Sequence, residues 1–176
     1  MNIDSNTIWN EAGKAGLVFG LFSTLCLSLK QLAGLSGSSA LTITVSAVLW
    51  AVEFFGCIFL MRRYLIRMRD RFSADMADCK SFGKRTALLS GLILAAAATY
   101  FILKMPSEET NKLIADATAS LGSEERLRFA KAMDSFPLVF FFIQWFYCFI
   151  YGTILSSILS RYIIIEDIFK GGDDKL

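Results

Sequence analysis

Four stretches of the chain are apolar on all sides and long enough, at 1.5 Å of rise per residue, to cross a hydrocarbon layer about 30 Å thick. They run over about 13–33, 41–61, 86–105 and 137–160. Between the first two, Gly34 to Ala40 (GLSGSSA) is small and turn-forming, which predicts a helical hairpin. After Arg63 the pattern changes. Apolar residues recur three or four apart at Leu65, Met68, Phe72, Met76 and Cys79 with bases between them. This predicts that the second span continues as an amphipathic helix along the membrane surface, with Ser81 capping the third span. In 106–136, Ser107 and Ser123 each precede paired acids and Gly122 stands between them, which predicts a helical hairpin outside the membrane. Its arms would set Leu113, Ile114, Ala117 and Leu121 against Leu127, Ala130 and Met133. Pro137 falls where the first helical residue of the fourth span belongs. The fold class that follows is all-α: a four-transmembrane-helix bundle over 1–176, a single integral membrane domain with an amphipathic cytoplasmic helical extension and an extracytoplasmic helical hairpin.

Charge gives this bundle an orientation. The 62–85 loop carries eight bases, whereas 106–136 carries four against six acids. The positive-inside rule places 62–85 in the cytoplasm and both termini with it. Trp9, Tyr64 and Tyr162 then fall near the cytoplasmic boundary and Tyr100 near the far one, as interfacial anchors. The N-terminal segment holds only Lys14 as a base and no small-residue cleavage pattern follows, so the first run reads as a retained span. Arg62, Arg63, Arg67, Arg69 and Arg71 form a basic surface that serves as a topology determinant or meets anionic lipid head groups or an acidic partner. A net charge of +2 is too small to point to nucleic acid.

Composition narrows the chemistry. Hydrophobic residues make up 55% of the chain and charged ones 19%, as expected of a membrane protein. The chain has no histidine, which removes the usual proton shuttle, the commonest metal ligand and every Ser/His or Cys/His nucleophile pair. Cys26, Cys57, Cys79 and Cys148 are too widely spaced for a metal knuckle and read as small buried hydrophobes. The acids Asp116, Glu124, Glu125 and Asp134 read as helix starts and solvated charge. No enzyme, metal or cofactor is expected.

Helices in lipid associate through close packing, so small residues four apart report interfaces. The first span carries Ala12, Gly16, Gly20, Thr24 and Ser28; the third carries Gly91, Ala95 and Thr99; the fourth carries Gly152, Ser156 and Ser160. One reading packs these stripes within a single bundle. The sharper one makes Gly16 and Gly20 a homodimer seam.

Glu53 is the chemical oddity. It lies within about 3 Å of the middle of the second span, out of reach of either surface. Eleven Leu, Ile, Val and Phe residues there, at about 0.3 to 0.6 kcal/mol each, outweigh a penalty of about 3 kcal/mol, so the span inserts regardless. Counting from the span edges brings Tyr147 and Tyr151 to the depth of Glu53. The same count puts Lys30 level with Thr44, about 13 Å away, where it would snorkel outward. Burial away from any base then favours a neutral carboxylic acid that donates to a tyrosine hydroxyl or a backbone carbonyl. Gln144 and Thr99 share a layer nearer the outer surface and form a second expected tie.

The start IWNEAGKAGLVFGL (Ile8 to Leu21), the stretch CKSFGKRTALLSGLI (Cys79 to Ile93), the GSEE at Gly122 to Glu125 and the end FIYGTILSSILSRYI (Phe149 to Ile163) together resemble a family of small bacterial membrane proteins, domain of unknown function forty-one ninety-nine. The resemblance covers nearly the full chain. It implies four spans in a bacterial inner membrane, no assigned activity, and, through an association with polyprenyl-phosphate glycosyltransferases, a membrane accessory for lipid-linked sugar chemistry. It transfers no functional residues. The expected function is a non-catalytic accessory or scaffold of a membrane complex, with the bilayer, a membrane-protein partner or a second copy as its company. The competing class is a small proton- or ion-coupled transporter or channel organised around Glu53.

Overall fold

The computed structural model describes residues 3–35, 39–104, 115–116, 118 and 122–173. Four long helices make up nearly all of it: α1 (Ser5–Gly34), α2 (Ser39–Phe72), α3 (Met76–Leu103) and α4 (Ser123–Asp173). Each contains a segment long and apolar enough to cross a membrane. α3 packs along both α1 and α4, and α2 is joined chiefly to α1.

Small residues set these contacts. A Cβ on Gly16 would stand 2.8 Å from Leu89 Cβ, and one on Gly20 would stand 2.7 Å from Ile93 Cβ, so α1 and α3 touch almost backbone to backbone. On the other side of α3, Gly152 would meet Ala87 at 2.6 Å, Gly91 would meet Cys148 at 3.0 Å, and Gly83 lies directly under Ser156. Ser156 and Ser160 are buried, each hydroxyl donating to a carbonyl of its own helix. The stripes therefore serve the bundle itself. Gly16 and Gly20 are covered by α3, so the close-approach face that the homodimer reading would use is taken up within the chain.

The densest part of the interior lies at the basic end. Ile8, Ala12, Ala15 and Phe19 of α1 meet Met61, Leu65 and Met68 of α2, Phe82 of α3 and Ile163 of α4. Leu65 and Met68 thus face protein, and α2 runs unbroken to Phe72 as part of the bundle. The break comes at 73–75, where Ser73 takes a left-handed φ of 52°. Met76 and Cys79 belong to α3, whose N-cap is Asp75: its Oδ1 accepts from the Asp78 amide at 2.7 Å. Ser81 lies inside the helix, because Asp75 supplies the stronger acceptor for the free amides one turn earlier.

α4 corrects a second boundary. Ser123 does begin a helix, with Glu125 Oε2 reaching back to accept from the Gly122 amide at 3.1 Å. That helix then continues through Pro137 to Asp173 rather than restarting there. A proline in this position removes one bond to the carbonyl four residues back, a loss a helix of about 75 Å absorbs without breaking. The first arm of the outer hairpin lies outside the described residues apart from positions 115, 116 and 118, so its facing pairs do too.

The seams yield a stability test. Gly20→Ala and Gly152→Ala push Cβ atoms into Ile93 and Ala87, and each should lower stability by about 1–3 kcal/mol through overpacking. Gly13→Ala has nothing within 4 Å and should be neutral or stabilising by up to about 1 kcal/mol. Thermal unfolding in mild detergent reads all three; equal behaviour of the three would contradict the seam assignment.

Candidate functional site: a central cavity and its ion pair

α2 carries Trp50, Phe54, Phe55 and Phe59 within about three turns, with Gly56 its only glycine, under the Phe22 ring. Such a helix cannot approach as closely as α1, α3 and α4 approach one another. The gap it leaves is a cavity of about 310 Å³ bordered by all four helices. Phe19 and Ser23 come from α1, Glu53, Phe54 and Cys57 from α2, Ser90, Gly91 and Leu94 from α3, and Gln144, Tyr147, Cys148 and Tyr151 from α4. Its walls are largely apolar with a few polar groups, the composition of small-molecule sites.

Glu53 is not alone. Lys30 Nζ donates to Glu53 Oε2 at 2.7 Å, and the two side chains are 24% and 22% exposed. The expected neutral acid donating to a tyrosine or carbonyl is therefore replaced by an ion pair. The reason is the lean of helical side chains. Short contacts set the hairpin register: Thr42 Oγ1 donates to the Ala33 carbonyl at 3.0 Å, and Ser23 Oγ lies 4.0 Å from Cys57 Sγ. Each Cα–Cβ bond tilts toward its own helix N-terminus. In this antiparallel pair Lys30 leans back from the C-terminal end of α1 while Glu53 leans toward that same end of the hairpin, and the flexible lysine stem closes the remaining distance. The same lean brings Phe19 against Tyr64, with ring centroids 6.1 Å apart. Counting Cα levels from the span edges misses both convergences.

The other expected polar residues divide. Gln144, Tyr147 and Tyr151 do line the cavity with Glu53. Gln144 Nε2, however, reaches Cys148 Sγ of its own helix at 3.7 Å, and the Thr99 hydroxyl is buried without a partner, so the second tie does not form. The Tyr151 hydroxyl is likewise buried without a partner. Its ring instead joins Phe54, which stacks on Trp50, making an aromatic wall between α2 and α4.

Two fixtures escaped the sequence reading. Trp145 Nε1 donates to the Leu88 carbonyl at 3.1 Å, in the space that Gly91 leaves open. Arg85 donates to the Ser5 carbonyl at 2.9 Å and to Ser5 Oγ at 3.1 Å, and lies over the Trp9 ring at 4.8 Å. Neither has a sequence signal, since each depends on which helix faces which. Of the basic surface, Arg62, Arg63 and Arg67 are exposed, Arg69 pairs with Asp70 at 2.9 Å, and Arg71 lies over Phe72 at 5.3 Å. Among the described residues no cluster of three or more His, Cys, Asp or Glu side chains has the spacing to hold a metal ion.

The pair makes a sharp forecast. Lys30→Met or Glu53→Gln alone strands a half-buried polar partner and should cost about 1–3 kcal/mol, whereas Lys30→Met/Glu53→Gln should recover much of that loss. Chemical denaturation in detergent micelles gives the coupling energy; strict additivity would show that the two residues do not interact.

No protein-family model, no curated protein and no solved structure matches this chain, and the functional reading rests on its own residues.

Proposed function

We propose that the protein is a non-catalytic accessory of a membrane complex, inserted with its basic end in the cytoplasm, whose central cavity holds a small amphiphilic molecule. The cavity of about 310 Å³ between α2 and the other helices carries this reading. Its apolar walls suit a hydrocarbon chain or ring, and Glu53, Gln144 and Tyr147 offer hydrogen bonds to a polar group.

Insertion is supported by the outer surface. Leu21 and Leu25 on α1, Trp50, Phe55 and Phe59 on α2, and Ile143, Phe146 and Ile158 on α4 are all more than half exposed. So large an apolar exterior wants lipid rather than water. Extraction at alkaline pH should leave the protein in the membrane pellet, and cysteines placed near Ser5 and in 62–85 should react with impermeant reagents only from the cytoplasmic side. Release into the supernatant, or labelling from outside, would overturn the insertion or its orientation.

The non-catalytic reading is supported by the pairing of Glu53 with Lys30, which engages the acid that hydrolysis or proton transfer would need free. A proton- or ion-coupled carrier would use the same residue and makes the opposite forecast. Mass spectrometry of the particle isolated in the mildest detergent should find a stoichiometric amphiphile and a companion protein. Leu94→Trp, which fills the cavity, should displace the amphiphile while Glu53→Gln lowers its occupancy only a few-fold. An empty wild-type particle, or ion flux in liposomes that Glu53→Gln abolishes, would transfer the function to transport.

A further inference from the structure

Toward the basic end, on the lipid-facing flank between α3 and α4, lies a second cavity of about 350 Å³. Lys80 borders it from the second turn of α3, and Arg161, Ser157 and Thr153 border it from successive turns of α4. Neither Lys80 nor Arg161 has an ion pair or hydrogen bond among the described residues, in contrast to Lys14, Lys30, Arg69 and Arg85. Two cations from different helices thus border one concavity with no carboxylate among its described lining residues. Like charges so placed repel, and that repulsion is relieved when an anion enters.

The remaining wall says what kind of anion. Ile154 and Ile158 border the same cavity and are 55% and 61% exposed, so an apolar surface begins where the cations end. A free inorganic anion has no use for that surface. A phosphate with hydrocarbon attached does. Thr153 and Ser157 complete that wall; the Thr153 hydroxyl is buried without a partner, and Ser157 donates to the Thr153 carbonyl at 2.8 Å.

We infer that Lys80 and Arg161 form a site for the phosphate of an anionic membrane lipid, whose acyl chains lie against Ile154 and Ile158. The planar guanidinium of Arg161 binds two phosphate oxygens side by side while the Lys80 ammonium supplies a compact charge. The site is separate from the central cavity and rests on the membrane reading but not on the amphiphile proposed there. Its occupant would bridge α3 and α4 at their basic ends and fix the depth of the bundle in the bilayer.

The test uses the full chain in mild detergent, first shown by alkaline extraction to come from the membrane fraction. Titration with phosphatidylglycerol and with phosphatidylcholine of the same chains, read by native mass spectrometry, should favour phosphatidylglycerol. Lys80→Gln/Arg161→Gln should weaken phosphatidylglycerol binding about 30-fold, at roughly five-fold for each charge. Arg63→Gln/Arg67→Gln removes the same charge elsewhere on the basic end and should change it less than about three-fold. The charge-conserving Lys80→Arg should retain binding, which separates loss of the site from loss of the fold. Equal weakening by both double variants would reduce the effect to general electrostatics and overturn the site. Equal binding of the two lipids would overturn it as well, and displacement of phosphatidylglycerol by millimolar inorganic phosphate would overturn the lipid as its source.

Discussion

Everything in this bundle hangs on how closely α3 approaches its two neighbours. Where a Cβ at Gly16, Gly20 or Gly152 would stand under 3 Å from an atom of the facing helix, the helices meet through backbone and first side-chain carbons alone. In lipid there is no hydrophobic drive to press helices together, because hydrocarbon is as apolar as leucine. Dispersion over a close contact supplies the attraction, and it falls steeply with any added gap. Glycine and serine stripes are therefore what makes α1, α3 and α4 one body.

The cavity is the reverse of the same rule. α2 has one glycine, Gly56, at its contacts and presents the large rings of Trp50, Phe54 and Tyr64 to its neighbours, so it stands off from the other three. Directional ties hold it where close packing does not: the Thr42 to Ala33 bond at the hairpin mouth, the Lys30–Glu53 pair halfway along, and the buried Met61, Leu65 and Met68 at the basic end. A helix fastened at points rather than along a seam leaves room between the points, and the central cavity occupies that room. The glutamate that looks out of place in the sequence is thus at the location where packing alone is insufficient.

Length and polarity made the four helices readable, because a run of about 20 apolar residues has few other fates. The stripes were readable as interfaces for the same reason, yet not as to whose interface: four-residue spacing at Gly16 and Gly20 says that something comes close, and only the fold says that it is α3. Periodicity carried Leu65 and Met68 correctly onto one face of a continuing helix but could not say that the face meets Ile8 and Phe82 instead of lipid. Boundaries failed where two signals competed, as at Asp75 against Ser81 and at Ser123 against Pro137. The Lys30–Glu53 pair failed for a geometric reason. Depth was counted at Cα, while the charges sit at the ends of side chains that lean in opposite directions along an antiparallel pair.

That lean also separates the two charged sites by kind. In the middle of the bundle a lone charge is costly to keep from water, so the acid there comes with a base of the same chain and the pair is electrically complete. At the basic end water is within reach, and cations without a partner among the described residues are tolerated at little cost. Lys80 and Arg161 are of this second kind, set beside exposed isoleucines on the flank where α3 and α4 are most tightly joined by Gly83 and Ser156. The close Gly83–Ser156 contact fixes the backbones from which Lys80 and Arg161 project, while their long side chains keep rotamer freedom. What sets this pair apart from Arg63 and Arg67 is placement: Lys80 and Arg161 come from two helices and border one concavity with exposed isoleucines, whereas Arg63 and Arg67 are exposed on α2 alone.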